Sequence, residues 1–201
     1  MPFAGNLVSY GIARPYTILQ QCTTMQTSQQ TNGRIHLYTG HGKGKTTAAA
    51  GLCLRALGAG LRVLFVQFMK GRATSELKPL ETLGATVFRA PTSPKFMKEM
   101  TEAEQRACAT AQEANLAYAR QQAPHYDLLV LDEVVGAIST DMVSLDAVLD
   151  FLRHRPDRLE VVLTGRNAPE PIRDIADYLS DISAEKHPYA QGVQARKGIE
   201  W

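Results

Sequence analysis

The sequence predicts an α/β fold in which helices cover both faces of a mostly parallel sheet, within a single domain. Across residues 34–201, short apolar runs alternate with helical segments, which is the order that crossover connections between parallel strands produce. Residues 63–68, VLFVQF, are almost wholly apolar, as expected of a strand covered on both faces. The chain has 201 residues and 44% hydrophobic side chains, which is enough to bury one core.

Short apolar runs carry the strand predictions. They lie at residues 35–38, 63–68, 86–88, 128–131 and 161–164. The runs at 63–68 and 128–131 are the most continuous, so both are predicted to be buried on both faces of the sheet.

Helices are predicted between and after these strands. They cover residues 45–57, 101 to about 122, a segment that begins at 144, and 172–178. Thr101 and Glu104 form a capping box for the longest helix. Ser144 caps a helix whose apolar residues share one face, and Pro171 precedes the last helix.

The first 33 residues differ from the remainder of the chain. They contain one charged side chain, Arg14, and end in a polar stretch rich in Gln and Thr, without helical or strand periodicity. We predict a poorly ordered extension or lid at residues 1–33. Met25 stands shortly before the first strand, so an over-extended start codon would also explain residues 1–24.

Composition and charge narrow the class of protein. The formal net charge of +2 is too small to indicate binding to nucleic acid or to an anionic membrane surface. No apolar run approaches the roughly 20 residues that span a bilayer, and no signal peptide is recognisable. Cys22, Cys53 and Cys108 are odd in number and form no Cys-x-x-Cys pair. We therefore expect reduced thiols and a cytoplasmic protein.

The sequence TGHGKGKTT, residues 39–47, closes the first strand and opens the first helix. Glycines let such a loop turn its backbone N–H groups inward, which forms an anion site at the positive end of a helix. Lys45 is expected to bridge phosphate oxygens, and the Thr46 hydroxyl to bind Mg²⁺. Thr39 stands where the common G-x-x-x-x-G-K-[ST] pattern has its first glycine. The loop predicts a P-loop NTPase-like fold, and all of it is assigned to nucleotide binding: Thr39, Gly40, His41, Gly42, Lys43, Gly44, Lys45, Thr46 and Thr47.

Polar residues at the ends of the other strands are expected to meet this loop, because ligands of parallel sheets bind beyond the carboxyl ends of the strands. The run LLVLDE delivers Asp132 and Glu133 as the second part of a magnesium site, and spacing leaves open which of them contacts the metal. VQFMKG places Gln67 and Lys70 at the mouth of the site, although a surface lysine is an equal alternative. LTGR adds Arg166, which is a candidate to stabilise phosphate charge.

The signature TGHGKGKTT, without its first glycine, resembles the P-loop class of ATP:corrinoid adenosyltransferases. VQFMKG, LLVLDE, LTGR and the closing KHPYAQGVQARKGIEW follow in the same order, so the resemblance covers residues 34–201. Members transfer the 5′-deoxyadenosyl group of ATP to the Co(I) ion of a reduced corrinoid and release inorganic triphosphate. Because cobalt attacks the ribose C5′, the resemblance implies catalysis by positioning and charge neutralisation, without a general base.

The resemblance also implies roles for particular residues. Lys45 and Arg166 are expected to be catalytic, and Thr46 and Glu133 to bind Mg²⁺. Arg55 matches a family arginine that contacts the nucleotide, although the pattern alone would place it on a solvated helix face. Expected partners are ATP, a corrinoid such as cobalamin, a reductase that supplies electrons to cobalt, and a second copy of the chain in a homodimer.

Two features depart from the family. Members usually carry aromatic residues, including a Trp, before the long helix, where they displace the lower cobalt ligand. Here residues 93–100 read SPKFMKEM, so Phe96 and Met97 are the candidates for that task. The family's N-terminal helix closes over the site of a partner subunit, and residues 1–33 show no clear equivalent.

Other functions stay open on the sequence alone. A P-loop ATPase or small-molecule kinase would cleave ATP at the γ-phosphate, but kinases of this size usually carry an arginine-rich lid. Residues 89–100 contain only Arg89, Lys95 and Lys98 as basic side chains. A non-catalytic protein that delivers ATP or a corrinoid is the third alternative. The sequence does not indicate which corrinoid or reductant is used.

Overall fold

The structure is a computed structural model that describes residues 32–72, 74–95 and 97–200. Within these residues, six strands form one sheet in the order β3-β2-β4-β5-β1-β6, and all neighbouring strands are parallel. The predicted α/β class with a parallel sheet is thereby confirmed. The predictions for residues 1–31 and for Phe96 lie outside the described residues.

The strand predictions are confirmed to within one residue at each end. The strands are β1 Ile35–Thr39, β2 Val63–Gln67, β3 Thr86–Phe88, β4 Leu128–Asp132, β5 Glu160–Thr164 and β6 Tyr178–Asp181. Every residue of β2 and β4 is buried, as the continuous apolar runs predict. Since β4 lies between β2 and β5, the sheet's most apolar strands occupy its interior.

The helices connect these strands. They are α1 Lys45–Gly58, α2 Leu77–Thr82, α3 Glu102–Gln122, α4 Val134–Ser139, α5 Leu145–Arg153 and α6 Glu170–Ile175. Both predicted caps are present: the Thr101 hydroxyl accepts the Glu104 N–H at 3.3 Å, and Ser144 accepts from the N–H of Ala147 at 3.3 Å. No helix in the described part of the chain is long and apolar enough to cross a membrane.

Helices pack on both faces of the sheet. Phe65 and Val130 lie in a cluster with Cys53 of α1, whereas their neighbours Leu64 and Leu129 pack with residues of α3, α4 and α5. This division follows from the alternation of side chains along a strand. Because helices cover both faces of the sheet, a ligand can reach it only at the ends of the strands.

The prediction of a helix at residues 172–178 is wrong at its end. The helix begins at Glu170 and ends at Ile175, and Tyr178 starts β6, which pairs with β1. All four residues of β6 are exposed at the sheet edge. An edge strand of this kind lacks the apolar run by which the inner strands were recognised.

Glu160 fastens the beginning of β5 to β1, the strand that leads into the glycine-rich loop. Its carboxylate contacts His36 Nε2 at 2.5 Å and accepts the N–H of Arg34 at 2.8 Å. Burial alone would raise the pKa of Glu160, but these hydrogen bonds outweigh it and the pKa is lowered.

We expect Glu160→Gln to lower the free energy of unfolding at pH 7 by about 1 kcal/mol, because it removes charge-assisted hydrogen bonds. A carboxylate with a lowered pKa stabilises the fold above its unfolded pKa, and this contribution is lost as the pH falls through the folded pKa. The difference between the two proteins should therefore shrink in acid. Urea unfolding measured from pH 7 to pH 3 checks this, and a constant difference would contradict it.

Candidate nucleotide-binding site

The glycine-rich loop joins β1 to α1 and lies against the segment that follows β6. The N–H of Gly42 donates to the carbonyl of Ile182 at 2.6 Å. Gly40 has a φ of 95°, and a Cβ there would lie 2.4 Å from the Asp181 carboxylate. A side chain at this position would therefore be strained and would collide with the neighbouring segment, which explains the glycine.

Lys45 folds back over its own loop. Its ammonium group donates to the carbonyls of Gly40 at 2.7 Å and Gly42 at 2.8 Å. Burial, and next the positive charge of Arg166, lower the pKa of Lys45. A phosphate oxygen in the cavity would offset both effects.

A cavity of about 500 Å³ opens between the loop and the ends of the neighbouring strands. Most of the predicted site residues line it: Gly42, Lys43, Gly44, Lys45, Thr46, Thr47, Lys70, Glu133 and Arg166. The cationic side chains among them outnumber the anionic ones, so the cavity favours a polyanion. Sequence reasoning from the strand ends thus brought together residues that are far apart in the chain.

Asp132 lies beneath this cavity and is completely buried. Its Oδ1 accepts hydrogen bonds from the hydroxyls of Thr46 and Thr164, each at 2.8 Å, and its Oδ2 accepts from Gln67 at 3.1 Å. The carboxylate is therefore held by three donors and orients the Thr46 hydroxyl. Gln67 was predicted at the mouth of the site, and this is wrong, because its fully buried side chain lies below the site.

Glu133 faces the cavity. It adopts a left-handed φ of 62°, and its N–H donates to the Thr164 hydroxyl at 2.8 Å. Burial raises the pKa of Glu133, which a cation beside the carboxylate would reverse. Because Thr46 and Glu133 line the same cavity, these two oxygen ligands fit Mg²⁺, which prefers such donors.

Among the described residues no three His, Cys, Asp or Glu side chains converge on one point. At nucleotide sites Mg²⁺ is usually held by one or two protein ligands together with substrate phosphates and water, so this small number of protein ligands would suffice. The protein would then supply two ligands, the Thr46 hydroxyl and the Glu133 carboxylate.

Thr164 links the two acidic residues, since its hydroxyl donates to Asp132 and accepts from the N–H of Glu133. Thr164→Val keeps the shape and leaves a buried N–H without a partner. We expect the free energy of unfolding to fall by about 2 kcal/mol. Urea unfolding checks this, with Thr110→Val on the exposed face of α3 as the matched control. Equal losses in both variants would contradict the role of Thr164.

Besides the buried Gln67 and Asp132, four predicted residues do not line the cavity: Thr39, Gly40, His41 and Arg55. Thr39 is buried at the end of β1, and His41 and Arg55 are exposed. Arg55 lies ten positions after Lys45 on α1, which corresponds to about 15 Å along the helix. Its contact with the nucleotide stays a prediction.

The C-terminal segment contributes residues to which sequence reasoning assigned no role. His187, Ile199 and Glu200 line the cavity, and Glu200 forms an ion pair with Lys43 at 3.4 Å. No local pattern marks such residues, because the contact joins opposite ends of the chain.

A second cavity, of about 570 Å³, adjoins the first at Met69, which lines both. Its other lining residues include Met97, Met100 and Cys108, with Lys95 and Lys98 at its polar part. The predicted Met97 therefore lies beside the nucleotide cavity. Thioether side chains are flexible and polarisable, so this wall adapts to a bulky ligand.

A glycine-rich loop between the first strand and first helix of a parallel sheet, with a lysine and a threonine opening the helix, defines a P-loop nucleotide-binding protein. Residues 31–201 match the family model described as ATP:corrinoid adenosyltransferase BtuR/CobO/CobP. The chain belongs to this family.

Curated relatives agree with that membership. The corrinoid adenosyltransferase CobA of Salmonella typhimurium is 35% identical, with 87% of this chain and 88% of the relative covered. The corrinoid adenosyltransferase of Escherichia coli is 34% identical over 87% of this chain and 88% of its own length. That of Pseudomonas aeruginosa is 36% identical over 84% of each chain.

Proposed function

We propose that this chain transfers the 5′-deoxyadenosyl group of ATP to the Co(I) ion of a reduced corrinoid and releases inorganic triphosphate. Family membership supports the reaction. The structural observation that carries it is the pair of cavities that meet at Met69, one cationic and one largely lined by apolar side chains. The first suits a triphosphate, and the second suits the broad face of a corrin ring.

The cationic cavity supplies the leaving-group chemistry. Lys45 and Arg166 offset the negative charge that grows on the triphosphate as the C5′–O bond breaks. Thr46 and Glu133 are the proposed ligands of Mg²⁺, which would neutralise further phosphate charge. Asp132 holds the Thr46 hydroxyl in place. Cobalt brings its own electron pair, so no side chain has to remove a proton.

The adjoining cavity supplies the position of the second substrate. We assign its Met97 wall to the lower face of the corrinoid, where the family uses aromatic side chains. An apolar wall offers no hydrogen bond to a polar lower ligand of cobalt and so disfavours it. The resemblance further supports a homodimer and a reductase partner, and the unpaired buried thiols of Cys53 and Cys108 support a cytoplasmic location.

The test is an anaerobic assay with ATP, Mg²⁺ and chemically reduced cob(I)alamin, followed by absorbance. We expect conversion to adenosylcobalamin at a rate proportional to protein, with none when ATP or Mg²⁺ is left out. An unchanged corrinoid spectrum while ATP is consumed would contradict the proposal and favour an ATPase or kinase.

A further inference from the structure

Two amide side chains of α3 are completely buried although they lie far from the glycine-rich loop in sequence. Gln112 and Asn115 are both 0% exposed. Buried amides cost free energy unless they are hydrogen-bonded, so their partners indicate what they stabilise. Both side chains bond to main-chain groups that follow strands of the sheet.

Asn115 connects the ends of β2 and β3. Its Nδ2 donates to the carbonyl of Gln67 at 3.2 Å, and its Oδ1 accepts the N–H of Ala90 at 2.8 Å. The same Nδ2 also donates to Gln112 Oε1 at 3.2 Å. The two amides therefore form one connected unit on a rigid helix.

Gln112 binds the backbone of the segment that follows β2. Its Oε1 accepts the N–H of Met69 at 2.9 Å. Met69 has a φ of 56°, a left-handed conformation that is uncommon in residues other than glycine and is retained where neighbouring groups stabilise it. Lys70 follows directly and lines the cationic cavity together with Lys45 and Glu133.

We propose that Gln112 and Asn115 are positioning residues that hold Met69 in its left-handed conformation and thereby aim Lys70 at the triphosphate. Neither side chain lines the cavity, so neither is a catalytic residue. The inference rests on the proposed triphosphate site. It deepens that site by naming the residues that fix one of its cations.

The test is a double-mutant cycle on the affinity for ATP with Mg²⁺, measured by calorimetry without a corrinoid. Gln112→Met keeps the volume and removes the acceptor, and Lys70→Ala removes the cation. We expect each single variant to weaken ATP about tenfold, and the double variant to bind no more weakly than Lys70→Ala alone. Gln121→Met, on the exposed side of the same helix, is the matched control and should bind as the wild type does.

The possible results are distinguishable. If the two losses multiply in the double variant, Gln112 does not act through Lys70 and the inference is overturned while the triphosphate site stands. If Lys70→Ala binds ATP as tightly as the wild type, the proposed role of Lys70 fails, and the inference fails with it.

If the Gln112→Met protein does not fold, the proposal can be tested by a measurement on the wild-type protein. Hydrogen exchange of the Met69 amide should be slow, because Gln112 accepts its only N–H. Exchange at the rate of an unprotected loop amide would show that the turn is not held and would overturn the inference.

Discussion

Replacing Lys45 with alanine is expected to lower turnover by about 10²–10³-fold or more, which is the effect of removing one preorganised charge from a transition state. The lysine is buried and already points across the loop at the carbonyls of Gly40 and Gly42. A bound triphosphate is expected to exchange these carbonyls for phosphate oxygens. We expect Lys45→Ala to lower turnover more than it lowers the affinity for ATP, because negative charge builds up on the triphosphate as the C5′–O bond breaks.

The Lys45→Ala protein should remain folded, because neither core cluster includes Lys45. Its thermal unfolding and its single-turnover rate of adenosylation are the two measurements. Lys78→Ala, on the exposed surface of α2, is the matched control and should retain the wild-type rate. A folded and fully active Lys45→Ala protein would mean that the phosphate cradle is misassigned.

Replacing Glu133 with glutamine should lower turnover by about 10²-fold at a fixed magnesium concentration, because the proposed metal ligand loses its negative charge. The substitution preserves shape, so the Thr164 hydrogen bond to the Glu133 N–H stays in place. The magnesium concentration that gives half of the maximal rate should rise. Part of the activity should return at high magnesium.

Comparison with Asp132→Asn separates the two acidic residues, which the sequence could not do. Asp132 accepts three hydrogen bonds, so its amide variant should lose stability more than magnesium affinity. Glu113→Gln, on the exposed face of α3, is the control for a simple loss of charge. If Asp132→Asn rather than Glu133→Gln shifts the magnesium dependence, the assignment of Glu133 as the metal ligand is wrong.

The inner strands of the sheet were predictable because strands that are buried on both faces consist mainly of apolar residues. The strands β2 and β4 have no exposed residue, and every residue except the last of each strand is apolar. The edge strand β6 has no continuous apolar run, since all four of its residues are exposed. The helices α2 and α4 have six residues each, which is too short for a helical period to show.

The candidate site was predictable where its polar residues follow a strand that the sequence makes recognisable. Lys45, Glu133 and Arg166 follow three different strands and line one cavity. The same rule misplaced Gln67, because a polar residue at a strand end looks alike whether it faces the ligand or lies beneath it. His187 and Glu200 reach the cavity through contacts between distant parts of the chain, which spacing does not encode.

The proposed reaction breaks the bond between the ribose C5′ and the triphosphate oxygen. The most direct measurement is phosphorus NMR of a single-turnover reaction with ATP, Mg²⁺ and cob(I)alamin under anaerobic conditions. Inorganic triphosphate equal in amount to the adenosylated corrinoid is the predicted result. ADP and phosphate, with the corrinoid unchanged, would contradict the proposed reaction and make the chain a P-loop ATPase or phosphotransferase.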